Sequence, residues 1–276
     1  MRIAVIGGDK RMLFAAKEFL NEGHEVCIAG FDHLLSLCDI RVFDFESAAG
    51  WAEMIVLPVR PLRGELLNAP CTNQALPIRE LLQMTGKKPV YSGCGELVAR
   101  YTDAPVYDYT LREDFSCRNA ELTAEGALGL VLSDYEGSVY GSRILVTGYG
   151  RIGSLLSEML YHLGADVTVA ARKLSDLSVI GLKGMTAKRY SELDHSRFDI
   201  IFNTVPSLVL DENAVSRMRG DVFIVDLASL PGGVDFDAAA RRGLSCVHAL
   251  SLPGKTAPLA AGRIIKDTIL FMAESQ

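Results

Sequence analysis

The stretch RILVTGYGRIGSLLSEMLYHLGADVTVAARK, Arg143–Lys173, decides the fold. It opens on an apolar strand pattern. Gly148, Gly150 and Gly153 follow in G-x-G-x-x-G spacing, then an amphipathic helix pattern to Leu163 and a second apolar run. Alone the spacing is a weak signal; with a strand before it and a helix after it, it marks a dinucleotide-binding turn. Gly148 permits the tight turn, Gly150 lets a pyrophosphate approach the backbone, and Gly153 lets helix and strand pack closely. Arg151 and Ile152 open the helix, whose free N–H groups face phosphate. An NAD-binding unit carries an acid near the end of its second strand, for the ribose 2′-hydroxyl. Here Ala171, Arg172 and Lys173 stand there, and no acid comes before Asp176. A guanidinium can fork onto a 2′-phosphate and Lys173 adds charge, so NADP is expected rather than NAD. The bland alternative is a pair of solvated surface cations.

Outward from this unit, short apolar runs alternate with amphipathic helices, the pattern of an α/β protein. The first half offers RIAVIGG, EVCIAG, IRVF, EMIVLPV, KPVYSG and APVYDY as strands. The second offers RILVTG, DVTVAA, a weak run near KGMTAK, DIIFNTV, DVFIVDLA and LSCVHA. Two doubly wound parallel-sheet lobes are expected, the second a Rossmann NAD(P)-binding domain. The expected divisions are a substrate or partner lobe over 1–112, a connecting helix over 113–138, the dinucleotide domain over 139–256, and a helix over 257–276 that packs back across the lobes. The first lobe repeats the strand–glycine turn–helix arrangement at Gly7, Gly8 and Asp9. It lacks the third glycine, and Asp9 would repel a pyrophosphate. A tight structural turn with Asp9 near a helix start is therefore expected there.

Bulk properties narrow the classes further. The chain has 276 residues, 49% hydrophobic, enough for one large domain or two ordinary ones. No apolar run is long enough to span a membrane, and Met1 leads straight into a strand pattern, so neither membrane span nor signal peptide is expected. Six cysteines (Cys27, Cys38, Cys71, Cys94, Cys117, Cys246) and five histidines show no metal-ligand spacing. Reduced cytoplasmic thiols and no metal site are expected. A net charge of −6 argues against nucleic acid, although local cations can still hold a small anion.

Three polar loops follow strands of the second half, at the sheet edge where such folds bind ligands. FNTVPS supplies Asn203, Thr204, Val205 and Pro206, expected to line the nicotinamide ribose or else to form a polar turn. DLASLPGGVDF supplies Asp226, Ala228 and Ser229, then a sharp Pro231–Gly232–Gly233 turn. LPGKTAP holds Lys255 and Thr256 between two prolines. These loops lie where D-2-hydroxy-acid dehydrogenases carry an Arg and a His as substrate anchor and acid/base, and neither residue is present. His248 falls inside a predicted strand and reads as a satisfied core histidine. Hydride exchange with a hydroxy acid through an Arg–His pair is not supported.

At these residues the chain resembles the A subunits of dipicolinate synthase. The matching features, in family order, are IAVIGGD, LPV, Glu125–Gly126, GYGRIG, GADVTVAAR, FNTVPS, DLASLPGGVDF and LPGKTAP. DLASLPGG and LPGKTAP together are fairly specific; the glycine motif is not. Residues 31–45 do not match. The resemblance implies oxidation of a dihydrodipicolinate-level ring to pyridine-2,6-dicarboxylate, with a flavoprotein-like B subunit as partner, in the cytoplasm of a sporulating bacterium. A homo-oligomer is also expected. The family supplies no catalytic residue to carry over, and none is assigned. For the two carboxylates of the substrate, Arg60 after LPV, Lys255 and Thr256 are the candidate anchors. Two other readings stay open. One is a dinucleotide-binding regulatory or scaffold protein with no chemistry of its own. The other is a shikimate-type NADP dehydrogenase, suggested by FNTVP, although no Lys–Asp pair is evident in the first lobe.

Overall fold

The computed structural model describes residues 1–37 and 39–275. Cys38 and Gln276 lie outside the described residues. The chain divides into two compact units, Met1–Asn119 with Ala257–Gln276, and Ala120–Thr256.

Unit 1 is built on β1 (Arg2–Ile6), β2 (Glu25–Ala29), β3 (Arg41–Val42) and β4 (Met54–Val56). A small antiparallel hairpin follows, β5 (Leu62–Arg63) and β6 (Leu66–Leu67), and then β7 (Val90–Ser92) and β8 (Val106–Asp108). The main sheet is parallel and ordered β3-β2-β1-β4-β7-β8. The helix Lys10–Asn21 follows β1. The C-terminal helix, Pro258–Glu274, packs on it. The two helices come so close that a Cβ on Gly262 would lie 2.6 Å from the Ala15 nitrogen and 2.7 Å from the Arg11 carbonyl oxygen. Ion pairs from Lys266 to Glu22 at 2.7 Å and from Arg263 to Glu18 at 3.1 Å fix the register. Burial opposes the charge on Lys266, but its bonds to Asp267 and Glu22 prevail and hold it above its ordinary value.

Unit 2 is built on β9 (Arg143–Thr147), β10 (Asp166–Ala170), β11 (Thr186–Lys188), β12 (Ile200–Asn203), β13 (Phe223–Asp226) and β14 (Ser245–His248). Its order is β11-β10-β9-β12-β13-β14, all parallel, the same relative order as unit 1. Alternation along the strands supplies two buried faces. Ile144, Val146, Ile200, Phe202, Phe223 and Val225 join one core, while Leu145, Ile201 and Ile224 join the other. Burial on both faces is why these strands read as continuous apolar runs rather than alternating ones.

All twelve expected strands form, so the α/β, doubly wound class holds. The hairpin β5–β6 was not foreseen, because two-residue strands carry no periodicity. The long helix Glu113–Asp134 ends before 138, and the boundary between units falls inside it, between Asn119 and Ala120. Among the described residues no helix is long and apolar enough to cross a membrane. The five described cysteines are free. Burial pushes the thiols of Cys27 and Cys246 up to about 12.

Candidate functional site

At the end of β9 the chain turns at Gly148, whose φ of 95° lies in the left-handed region that favours glycine. A Cβ there would also lie 2.5 Å from Thr204 Oγ1 and 2.9 Å from Val205 Cγ2. Gly148 N–H donates to Ala170 O at 2.9 Å, which ties the turn to β10. The helix Arg151–His162 then begins with Gly150 as its N-cap. On Gly153, in its first turn, a Cβ would sit 2.2 Å from the Gly148 carbonyl oxygen. Two of the three glycines are thus required by the protein's own packing. Gly150 is different: its φ is −89°, and a Cβ on it would meet nothing within 4 Å. Nothing inside the protein demands glycine there, whereas close approach of a phosphate does. No side chain caps this helix and no acid stands in its first turn, so its leading N–H groups and positive dipole end remain available to an anion. These residues fit a dinucleotide pyrophosphate. Arg151 is exposed, and Ile152 packs partly against the core.

Beside the turn lies a pocket of about 510 Å³, lined by Ala171, Arg172, Arg189, Tyr190, Ser191, Val205, Ser207 and Val209. It lies where β10, β11 and β12 end, and Ala171 N–H donates to Lys188 O at 3.1 Å across the first two. Burial pushes the Tyr190 phenol up, against the opposing pull of the Arg172 cation and the Gly148 backbone beside it. Neither guanidinium, of Arg172 or of Arg189, forms an ion pair among the described residues, although the Arg189 backbone N–H donates to Glu192 Oε2 at 2.9 Å. Lys173 does not line this pocket; it is the exposed N-cap of the helix Leu174–Leu182. The pocket's second cation is Arg189, which sequence reasoning missed. Its signal was a cation directly after the weak strand in KGMTAKRY, and that strand was too faint to place its end.

The FNTVPS and DLASLPGG loops are held by a closed set of hydrogen bonds. Asn203 and Asp226, the last residues of β12 and β13, are both 0% exposed. Asn203 Oδ1 accepts from Thr147 Oγ1 at 2.7 Å and from Val205 N–H at 3.1 Å. Its Nδ2 donates to Val205 O at 3.0 Å and to Asp226 Oδ1 at 2.7 Å. Asp226 also accepts from Ala228 N–H at 3.0 Å and from Gly233 N–H at 2.8 Å. Both side chains were expected to touch the cofactor. In this geometry their polar atoms all have partners within the protein, and those bonds shape the loops. The Gly-Gly pair is part of the same device: a Cβ on Gly232 would lie 2.6 Å from Asp226 Oδ2, and one on Gly233 2.4 Å from Asn203 Nδ2. Thr204 Oγ1 donates to Thr147 O at 2.8 Å, beneath the glycine turn. Val205 lines the pocket, and Pro206 and Ser229 are exposed. His248 Nε2 donates to Ala228 O at 3.0 Å, and its ring stacks on Phe236 at 5.3 Å. That is the satisfied histidine expected from the sequence.

The remaining candidates are not among the residues that line this pocket. Lys255 and Thr256 lie on a helical turn, Leu252–Thr256, rather than in an extended loop. Lys255 is exposed; Thr256 Oγ1 donates to Leu252 O at 2.9 Å and rests against Gly126. Arg60 belongs to unit 1, where it is exposed and its carbonyl oxygen accepts from Asn68 Nδ2 at 2.8 Å. At the matching turn of that unit, Asp9 caps the Lys10–Asn21 helix through Arg11 N–H at 3.0 Å and ion-pairs with Arg11 at 2.8 Å. Burial works against the charge on Asp9, but the bonds and charge of Arg11 prevail and hold its carboxyl below the ordinary value.

The geometry has close counterparts in known proteins. Residues 2–98 match the family model for the N-terminal domain of the dipicolinate synthase A subunit. The dipicolinate synthase A subunit of Bacillus subtilis is 30% identical over 292 residues, covering 100% of this chain and 97% of that one. The crystal structure of the corresponding A subunit from Bacillus halodurans superposes with a TM-score of 0.89 at 27% identity, covering 98% of this chain and 97% of its own. A transhydrogenase from Sinorhizobium meliloti, at 14% identity and a TM-score of 0.75 over 99% of this chain and 93% of its own, shares the fold alone. Full-length identity at that level, with the same architecture, places the chain in the family of dipicolinate synthase A subunits.

Proposed function

We propose that this chain is an NADP-dependent oxidoreductase that forms pyridine-2,6-dicarboxylate from a dihydrodipicolinate-level ring, working beside a flavoprotein-like B subunit. The observation that carries the reading is Gly150. It is a glycine the protein's packing does not require, at an uncapped helix start, next to a pocket that holds Arg172. Arg172 in place of the usual acid favours the 2′-phosphate of NADP. The ring gives up a hydride to the nicotinamide and a proton to solvent or a weak base. Aromatic stabilisation of the product helps drive this loss, so the protein's task is positioning more than strong acid/base catalysis. Exposed Lys255 and Arg60 are each proposed as an anchor for a substrate carboxylate, to be tested one at a time.

The test is direct. The purified chain is titrated with NADPH and NADH by fluorescence, then assayed for pyridine-2,6-dicarboxylate with and without the B subunit. NADPH is expected to bind at least about tenfold tighter, the value of one charge-assisted contact. Equal affinities would sink the NADP assignment. Tight NADPH binding with no product under either condition would leave a dinucleotide-binding protein without chemistry of its own. Lys255→Met is expected to raise the Michaelis constant while leaving NADPH affinity within about twofold.

A further inference from the structure

Arg172 and Arg189 come from the ends of neighbouring parallel strands, β10 and β11, whose register pairs Ala170 with Lys188. Both line the same pocket and neither guanidinium forms an ion pair among the described residues; the Glu192 carboxylate beside Arg189 is engaged by the Arg189 backbone N–H at 2.9 Å. Two exposed guanidinium groups lining one cavity offer two forks to a single anion. Tyr190 stands between them and the glycine turn, half-buried, and Ser191 and Ser207 add hydroxyls at the rim. A doubly charged, compact anion with several acceptor oxygens suits two guanidinium forks better than a ribose hydroxyl does.

We infer that Arg189 is a second specificity-determining residue, which clamps the 2′-phosphate of NADP from the side opposite Arg172, with the Tyr190 ring as a wall for the attached adenosine. This deepens the NADP reading and rests on it. Lys173 does not line the pocket, so in this reading the edge strand β11, not the residue after Arg172, supplies the second positive charge.

The experiment measures binding by calorimetry, with adenosine 2′,5′-bisphosphate and adenosine 5′-monophosphate as probes that differ only in the 2′-phosphate. The wild-type chain is compared with Arg172→Gln, Arg189→Gln, Lys173→Gln and Tyr190→Ala. Arg189 is exposed and its cap bond to Glu192 runs through the backbone N–H, which glutamine keeps, so Arg189→Gln is expected to unfold at the wild-type temperature. Each arginine variant should lose about tenfold in affinity for the bisphosphate while its affinity for the monophosphate stays within about twofold. Lys173→Gln should change neither, and Tyr190→Ala should weaken both probes alike. Arg189→Lys should recover only part of the loss, because an ammonium cannot fork. If Arg172→Gln removes the preference and Arg189→Gln does not, the second clamp is wrong and the NADP reading survives. If the wild type does not prefer the bisphosphate at all, the NADP reading falls and the clamp with it.

Discussion

At the end of β1 the chain runs Gly7–Gly8–Asp9 into the Lys10–Asn21 helix; at the end of β9 it runs Gly148–Tyr149–Gly150 into the Arg151–His162 helix. Both first glycines have positive φ, 71° and 95°, and both donate at 2.9 Å to the last residue of the neighbouring strand, Ala29 or Ala170. Beyond that point the two turns part. Asp9 fills the start of the first helix with a carboxylate and locks Arg11 onto it. Gly150 leaves the start of the second bare. Three residues on, the first carries Met12 where the second carries Gly153, so only the second can approach its turn at backbone contact. One strand order thus hosts a turn closed by its own carboxylate and a turn with no side-chain cap, open to an outside anion. Shared topology does not mean shared function; the capping chemistry of one residue separates them.

The comparison breaks most severely at Gly153. Alanine usually favours a helix over glycine by about 1 kcal/mol. Here its Cβ would meet the Gly148 carbonyl oxygen at 2.2 Å, a backbone atom that cannot swing aside. Gly153→Ala is expected to cost about 2–3 kcal/mol in urea unfolding and to abolish measurable NADPH binding. Wild-type stability with retained binding would mean the helix is not seated as described.

Next in size is Arg172→Asp, which puts the expected acid where this turn has a cation. The ratio of NADPH to NADH affinity should swing by about a hundredfold, toward NADH, equivalent to about 2.7 kcal/mol. An unchanged ratio would make Arg172 a bystander.

Gly150→Ala sharpens the contrast from the other side. The new Cβ enters open space, so stability should stay within about 0.5 kcal/mol of wild type, while NADPH affinity drops about tenfold. If stability falls instead, Gly150 is a structural glycine like its two neighbours and the bare turn loses its meaning.

The smallest effect is expected at Asp9. Asp9→Ala removes a helix cap and should cost about 1 kcal/mol at neutral pH, with NADPH affinity unchanged. Because the folded carboxyl is held below its ordinary value, its contribution is complete above that ordinary value and is lost as pH falls through the depressed one. The gap between variant and wild type should therefore close in acid. A gap that persists there would point to packing rather than to the ionised cap.

The strands, the two glycine turns and the cation at Arg172 were legible from order along the chain. Each is a local signal: an apolar run, a spacing, a missing acid. Loop roles were not. Asn203 and Asp226 looked like ligand contacts because polar residues at strand ends usually face the crevice. Only the pairing of β12 with β13 turns them toward each other across 23 sequence positions and closes their hydrogen bonds inside the protein. Arg189 escaped for the opposite reason. Its strand is three residues long and faint in pattern, and its position beside Arg172 follows from sheet order alone.

The amino-acid order by itself determined which segments become strands, which helix start carries neither a capping side chain nor an acid, and that a cation stands where the usual acid would. Those are properties of neighbours along the chain, set by backbone sterics and helix ends. Tertiary structure decided which polar side chains are spent on holding loops and which remain for a ligand. A hydrogen-bonding group can be satisfied by any partner within about 3 Å, and the identity of that partner is a matter of how parallel strands are ordered.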